Sequence, residues 1–176
     1  MRRMTMGAAL AAAALLCSVP CRAQGAGRHP EIPDPQMDAA VERARASVGT
    51  FVQALQRPAR SRSTVTAQVR FANDSVAEHI WLENVRFDGQ YVTGRLSEDA
   101  IAVGGVYRGQ AVRVLPGELT DWMIVEDGWL CGGFSERVHA ARRPAAEQEA
   151  WMKSFRLRGM PGEDEVCDSR QSQRRR

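Results

Sequence analysis

The spacing of apolar residues predicts a helix at the start of the chain's folded part. Between residues 34 and 55 the apolar side chains recur every three or four positions, which is typical of a helix with one apolar stripe. Asp34 suits an N-cap and Pro35 the first helical position. We therefore predict one amphipathic helix of about 20 residues that ends before Pro58. Its stripe consists of Met37, Val41, Ala44, Val48, Phe51, Val52 and Leu55.

From Thr64 onward the apolar period changes from helical spacing to alternation, which predicts strands. Two Asp-Gly pairs, Asp88-Gly89 and Asp127-Gly128, separate strand-like runs and predict tight hairpins. A later run after Pro144 has helical spacing and ends near Phe155. The predicted strands are residues 64–71, 78–87, 91–96, 111–115, 121–126 and 129–134, with 101–106 a weak strand or a loop.

These elements predict an α+β fold. A strongly twisted antiparallel sheet of five to six strands packs against the long N-terminal amphipathic helix, and a second short helix follows near the C-terminus. We place this single domain at residues 34–158 and a flexible polar tail at 159–176.

Residues 1–23 are typical of a secretory signal peptide. Arg2 and Arg3 precede an apolar run from Gly7 to Val19, and Cys21-Arg22-Ala23 offers small residues at a cleavage site. The run is shorter than the roughly 20 apolar residues of a membrane span. Residues 24–33 are rich in Gly and Pro and predict an extended leader. The sequence thus predicts a periplasmic or secreted protein without a membrane span.

Removal of the signal peptide changes both the charge and the cysteine content. Arg2, Arg3 and Arg22 leave the 24 basic residues of the precursor, so the mature chain carries 21 basic and 21 acidic residues. This balance does not favour nucleic-acid binding, which needs a basic domain. Two of the four cysteines remain, Cys131 and Cys167. An oxidising compartment permits a disulfide between them, and two free thiols are the alternative.

Familiar catalytic and metal-binding motifs are missing from the sequence. The three histidines, His29, His79 and His139, have no second His or Cys at the spacing of a metal site. We therefore predict no metal and no cofactor. Gly104-Gly105 and Gly132-Gly133 are more typical of turns or bulges than of ligand loops.

Two polar strands that each carry a tryptophan form the candidate binding surface. Tryptophans in a small domain are usually core residues, and the alternative is ligand contact. The candidate residues are Glu78, His79, Trp81, Asp121, Trp122 and Trp129.

The run from Glu78 to Gly89, continued by Tyr91-Val92-Thr93-Gly94, resembles a bacterial family known as domain of unknown function 2314. Asp121 to Gly128 with Gly132-Gly133 is similar to the family's second signature, and Gly109 to Val114 fits between the two. The resemblance covers roughly residues 37–155. It implies the family's fold and domain limits and transfers no activity.

Three hypotheses for function follow. The first is a small exported, non-catalytic binding or interaction module whose partner is unknown and could be another protein. The second is a small hydrolase-like enzyme in which His79 works with Glu78 or Asp121 as an acid/base pair. The third is a structural role in which a sheet edge or the tail docks another chain.

Overall fold

A computed structural model describes residues 34–57, 62–126 and 128–157, with the backbone alone for residues 62 and 63. The chain is α+β, as predicted, and its six strands form one antiparallel sheet in the order β4-β3-β2-β1-β5-β6. The predicted signal peptide, leader and polar tail lie outside the described residues. In chain order the elements are α1 (Pro35–Ala46), α2 (Val48–Leu55), β1 (Arg62–Ala72), β2 (Ala77–Phe87), β3 (Val92–Leu96), β4 (Ala111–Val114), a 3₁₀ turn (Pro116–Glu118), β5 (Leu119–Glu126), β6 (Trp129–Gly132), α3 (Phe134–Ala141) and α4 (Ala145–Ser154).

Both predicted hairpins are present. Between β2 and β3 the Asp88 carboxylate accepts the backbone N–H groups of Gln90 (3.0 Å) and Tyr91 (2.7 Å), and Gly89 adopts φ +103°. Between β5 and β6, Gly128 adopts φ +80°, and the flanking residues Glu126 and Trp129 are paired. Glycine meets the demand for positive φ at these turns without strain.

The predicted long N-terminal helix is instead two helices that meet at Ser47. The Ser47 hydroxyl donates hydrogen bonds to the carbonyl oxygens of Arg43 (2.7 Å) and Ala44 (3.2 Å). A side chain that bonds back to the preceding turn competes with the regular helical hydrogen bonds. The apolar stripe alone could not predict this break, because the stripe continues across it with Ala44 and Phe51 both buried.

Residues 101–106, predicted as a weak strand or a loop, belong to the loop between β3 and β4. Strand β6 ends at Gly132, two residues before the predicted end, because Gly132 and Gly133 adopt φ +67° and +65° and turn the chain into α3. Helix α3 was not predicted. The C-terminal helix α4 follows Pro144 as predicted.

The two faces of the sheet are covered unequally. The face that carries Ala67, Ile80 and Trp122, here called the core face, packs against Ala44 and Phe51 of the N-terminal helices. The opposite face is covered by α4 over β5 and β6, where Trp151 packs in a second apolar cluster whose margin reaches Trp81 of β2. The other members of that cluster are Met123, Val125, Leu130 and Ala140, with Trp81, Met152, Phe155 and Leu157 at its margin. The same face of β3, of β4 and of the part of β2 beyond Trp81 is here called the open face.

Candidate functional site

Trp122 lies in the core rather than on a surface. Its side chain is fully buried and stacks on Phe51 at a centroid distance of 5.3 Å, with the Phe134 ring edge-on at 5.8 Å. Its indole Nε1–H donates to the Ala44 carbonyl oxygen at 3.1 Å. This bond satisfies the one polar atom of a buried indole and fixes α1 against β5. Trp122 is therefore a packing residue.

Asp121 is also fully buried, and its carboxylate caps α3. One oxygen accepts the N–H groups of Trp122 (2.7 Å) and Phe134 (3.2 Å). The other accepts the N–H (2.8 Å) and the hydroxyl (2.6 Å) of Ser135. Burial raises the pKa of Asp121 above its usual value, although these hydrogen bonds act in the opposite direction. The N-cap residue itself is Gly133, which has no side chain, so β5 supplies the missing cap.

Glu78 holds the loop between β3 and β4. Its carboxylate accepts the backbone N–H groups of Ile101 (2.7 Å), Ala102 and Val103 (2.7 Å). The hydrogen bond from the Ile101 N–H is the main cause that lowers the pKa of Glu78, with those from Ala102 and Val103 adding to it. Three donors to one carboxylate stabilise its ionised form.

His79 lies on the opposite face from Glu78, since adjacent residues of a strand alternate. Its Nδ1 is 2.9 Å from the Thr120 hydroxyl oxygen, and that hydroxyl donates to Gln68 Oε1 at 3.2 Å. Because the Thr120 hydroxyl has one proton and donates it to Gln68, Nδ1 of His79 must be the donor in its hydrogen bond with Thr120. The geometry does not assemble the predicted acid/base pair. Glu78 is committed to the loop and Asp121 to α3, and Nδ1 of His79 contacts the Thr120 hydroxyl.

The other two candidate tryptophans are half-buried. Trp81 packs at the margin of the second apolar cluster under α4, and Trp129 begins β6 after the hairpin. The six candidate residues therefore do not form one surface. Trp122 and Asp121 lie inside, Glu78 anchors a loop, and His79 and Trp81 remain on the face away from the core.

Cys131 is disulfide-bonded and buried. Cys167 lies outside the described residues, so the pairing of these two cysteines stays a prediction. Gly132, the next residue, packs directly against Trp122. Gly132 therefore allows a close approach to Trp122, and Gly133 is the N-cap residue of α3. These roles agree with a turn rather than with a ligand-binding loop.

The open face carries arginines that the sequence analysis did not single out. Arg86 lies opposite Thr93, which lies opposite Arg113, and Glu83 lies opposite Arg95. These pairs place Arg86, Arg95 and Arg113 on the same face, and all three are exposed. We call these three residues the arginine face. Alternation along β3, with the register set by the Asp88-Gly89 turn, was the signal that could have placed Arg86 and Arg95 on one face, whereas a bulge between Glu83 and Arg86 interrupts the alternation along β2.

Two arginines of this face are held in place by neighbours. The Arg113 guanidinium lies 3.5 Å from the Tyr91 ring centroid and donates to Asp88 Oδ2 from Nε (3.3 Å) and Nη2 (3.1 Å). Arg95 donates from Nη1 to the Gly109 carbonyl oxygen at 2.8 Å. No such contact to another described residue is present for Arg86. The face can therefore present ordered guanidinium groups to an anionic group.

Within the described ranges, no three His, Cys, Asp or Glu side chains come together as metal ligands would. None of the helices described there is long and apolar enough to cross a membrane.

The fold and these contacts define a single-sheet α+β domain with the N-terminal helices on one face of its sheet, α4 over part of the other face, and arginines on the remaining open face. Residues 34–157 match the model of a family described as "Uncharacterized protein conserved in bacteria (DUF2314)". The chain belongs to this family, as the two motifs indicated.

Two curated proteins are similar to parts of the chain. One, from Neisseria meningitidis serogroup B (strain ATCC BAA-335 / MC58), is described as "Putative ankyrin repeat protein NMB1133/NMB1171" and is 33% identical over 94 residues, which are 50% of this chain and 35% of that protein. The other is uncharacterized protein YegJ of Escherichia coli (strain K12), 23% identical over 99 residues, 56% of this chain and 63% of YegJ. The chain thus spans less than two thirds of either relative. No solved structure matches it significantly.

Proposed function

We propose that this chain is a small exported binding module that contacts a partner protein through the open face of its sheet, without catalysis. The observation that carries the proposal is the use of both candidate carboxylates as backbone anchors. Asp121 accepts four hydrogen bonds inside the domain, and Glu78 accepts three from a loop. Neither is available to His79 for proton transfer. The arginine face, in contrast, is exposed.

Export is proposed from the signal-peptide pattern of residues 1–23 and is supported by one chemical observation. Disulfides persist in oxidising compartments such as the bacterial periplasm and are rare in the cytosol. The disulfide at Cys131 fits the first environment.

A protein partner is favoured by the kinship with the Neisseria relative. That protein is named for ankyrin repeats, which generally present extended surfaces to other proteins. The matched segment is 35% of its length, so a related domain stands in a longer chain there. A module that functions beside protein-binding repeats is consistent with an interaction role.

Site-specific photocrosslinking tests the binding proposal. A benzophenone amino acid replaces Thr93, at the centre of the open face, in the full chain expressed in its native bacterial host. We expect a discrete crosslinked adduct that disappears when Arg86→Glu is added. The matched control carries the same group at Glu42, an exposed residue of α1. Absence of any adduct at Thr93, or an equal one at Glu42, would contradict the proposal.

Export is tested separately by fractionation and N-terminal sequencing of the mature protein. We expect the full chain outside the cytoplasm with an N-terminus near residue 24, and a chain that starts at residue 24 to stay in the cytoplasm. An uncleaved, cytoplasmic full chain would contradict export.

A further inference from the structure

The two edges of the sheet differ in whether their outer backbone groups are occupied. At the β6 edge, Arg137 donates from Nε to the Gly132 carbonyl oxygen (3.0 Å) and from Nη2 to that of Leu130 (3.1 Å). This side chain occupies the acceptors that an added strand would need. At the β4 edge, β3 is the only neighbouring strand among the described residues. The β4 edge is therefore the one able to accept another strand.

The hydrogen-bond alternation identifies which groups of β4 point outward. Leu96 donates to Gln110 O (3.0 Å) and accepts from Gly109 N (2.8 Å), so Leu96 directs its backbone toward β4. By alternation Gly94 and Val92 do the same, and their partners Val112 and Val114 bond inward. The N–H and C=O groups of Ala111 and Arg113 therefore point away from the sheet.

We infer that the β4 edge and the arginine face together bind an extended protein segment with alternating acidic and apolar residues, which adds to the sheet as a seventh strand. This inference rests on the proposed function and names the chemistry of the partner. Main-chain hydrogen bonds to an exposed edge supply affinity in this mode, and alternate side chains supply specificity.

Charge and apolar surface at this edge specify the two kinds of side chain. On the open face, an added strand places its side chains beside Arg113, whose guanidinium bonds Asp88 through Nε and Nη2 but is 56% exposed and can donate from Nη1 to a carboxylate. On the core face, its side chains lie beside Val112 and Val114, which are half-buried, and near Leu115, which is 45% exposed. Apolar side chains there extend the core.

Other occupants fit less well. A second copy paired antiparallel along β4 would bring two Arg113 side chains close together on one face, and like charges there are destabilising. A single-stranded nucleic acid needs stacking aromatics, but the Tyr91 ring is covered by Arg113, and Trp81 packs under α4. A membrane surface needs exposed apolar side chains. Around the arginine face, residues lie opposite one another across the strands in two rows, and Ala111 is the one apolar residue among them. The rows are Glu83-Arg95-Ala111 and Arg86-Thr93-Arg113.

Peptide binding to the mature protein, from which the signal peptide has been removed, tests the inference. The probe is an N-acetylated eight-residue peptide of alternating Glu and Val, compared with a peptide in which Lys replaces each Glu. We expect NMR amide shifts centred on β3 and β4 with the Glu peptide, and binding at least about tenfold weaker with the Lys peptide. Equal affinities, shifts centred elsewhere, or equally tight binding of an oligo-dT strand or anionic vesicles would overturn it.

Three variants locate the site. Arg113→Gln should weaken binding at least about fivefold, because the carboxylates of the added strand lie beside this residue. Ala111→Pro should weaken it by a similar factor, because proline removes an outward N–H while the ladder to β3 stays intact. Arg143→Glu, an exposed change in the α3–α4 connection, is the matched control and should leave binding unchanged within about twofold. If all three variants behave alike, the edge is not the site. Crosslinking at Thr93 without peptide binding would leave the proposed function standing and refute this partner chemistry.

Discussion

Asp121 and Glu78 both use a carboxylate to hold a neighbouring backbone segment, yet their surroundings differ sharply. Asp121 is fully buried and fixes the start of α3 on the sheet. Glu78 is only half-buried and gathers the N–H groups of an exposed loop. Burial raises the pKa of the first, and hydrogen bonds to the loop N–H groups lower the pKa of the second. Similar hydrogen bonding therefore produces opposite pKa shifts, because desolvation dominates only in the interior.

The comparison separates structural from adjustable parts of the domain. The contact between Asp121 and the start of α3 lies beside the Trp122 ring, which stacks on Phe51 and is closely approached by Gly132. Small changes there should therefore unfold the domain. The Glu78 junction holds a loop in which Ile101 is 97% exposed. Changes there should loosen the loop and leave the sheet intact.

The largest effect is expected for Gly132→Ala at the buried junction. The new Cβ would overlap the Trp122 carbonyl oxygen and lie 2.6 Å from Cε3 of the Trp122 ring. In addition, residue 132 has a φ of +67°, a backbone conformation that alanine rarely adopts. We expect no folded protein at 37 °C, as judged by circular dichroism. Gly105→Ala, which also has a positive φ (+80°) but open space around it, is the control and should fold. A folded Gly132→Ala protein with wild-type Tm would show that this contact relaxes easily.

The disulfide at Cys131 is expected to contribute the next largest effect, since it ties a further segment to the strand beside Gly132. If Cys167 is its partner, closing that loop stabilises the protein by about 3–4 kcal/mol on the chain-entropy model. Cys167→Ser should lower the unfolding free energy by this amount and expose one titratable thiol. An unchanged denaturation curve, with Cys131 still oxidised, would assign the bond to another cysteine.

Asp121→Ala should cost about 3 kcal/mol, because it leaves buried N–H groups of α3 without an acceptor. Urea denaturation measures this loss.

The raised pKa of Asp121 also makes its contribution to the unfolding free energy depend on pH. That contribution is greatest below the pKa of the unfolded state and declines as pH rises through the pKa of the folded state. The stability advantage of wild type over Asp121→Asn should therefore shrink as pH rises above 3.8, the ordinary pKa of this carboxyl group. A growing advantage would contradict burial as the dominant cause.

The smallest effect on global stability is expected for Glu78→Gln. Amide exchange at Ile101, Ala102 and Val103 should accelerate by about tenfold or more, while exchange in β1 stays unchanged. Because the pKa of Glu78 is lowered from its ordinary value of 4.5, its contribution is present above pH 4.5 and is lost as pH falls through the folded pKa. The pH dependence is thus opposite in sign to that of Asp121. Glu83→Gln on the open face is the matched control, and equal exchange in both variants would refute the anchoring role.

Patterns within a short stretch of sequence were sufficient for much of the fold. The Asp-Gly pairs located both hairpins, and the alternation from residue 64 located β1 and its neighbours. The break at Ser47 was missed because a continuous apolar stripe does not report a hydroxyl that bonds backward. Helix α3 was missed because its cap comes from Asp121, which precedes Phe134 by more than a helical turn along the chain and lies in another element.

The candidate site was predicted less well, for a related reason. Alternation places His79 and Glu78 on opposite faces, but it does not say which face a helix covers. The sequence alone determined that the chain forms an antiparallel sheet with tight turns, because strand period and turn chemistry are local properties. Only the tertiary structure decided that Trp122 and Asp121 belong to the interior while Arg86, Arg95 and Arg113 face outward. Burial depends on which segments pack together, and no local pattern records that.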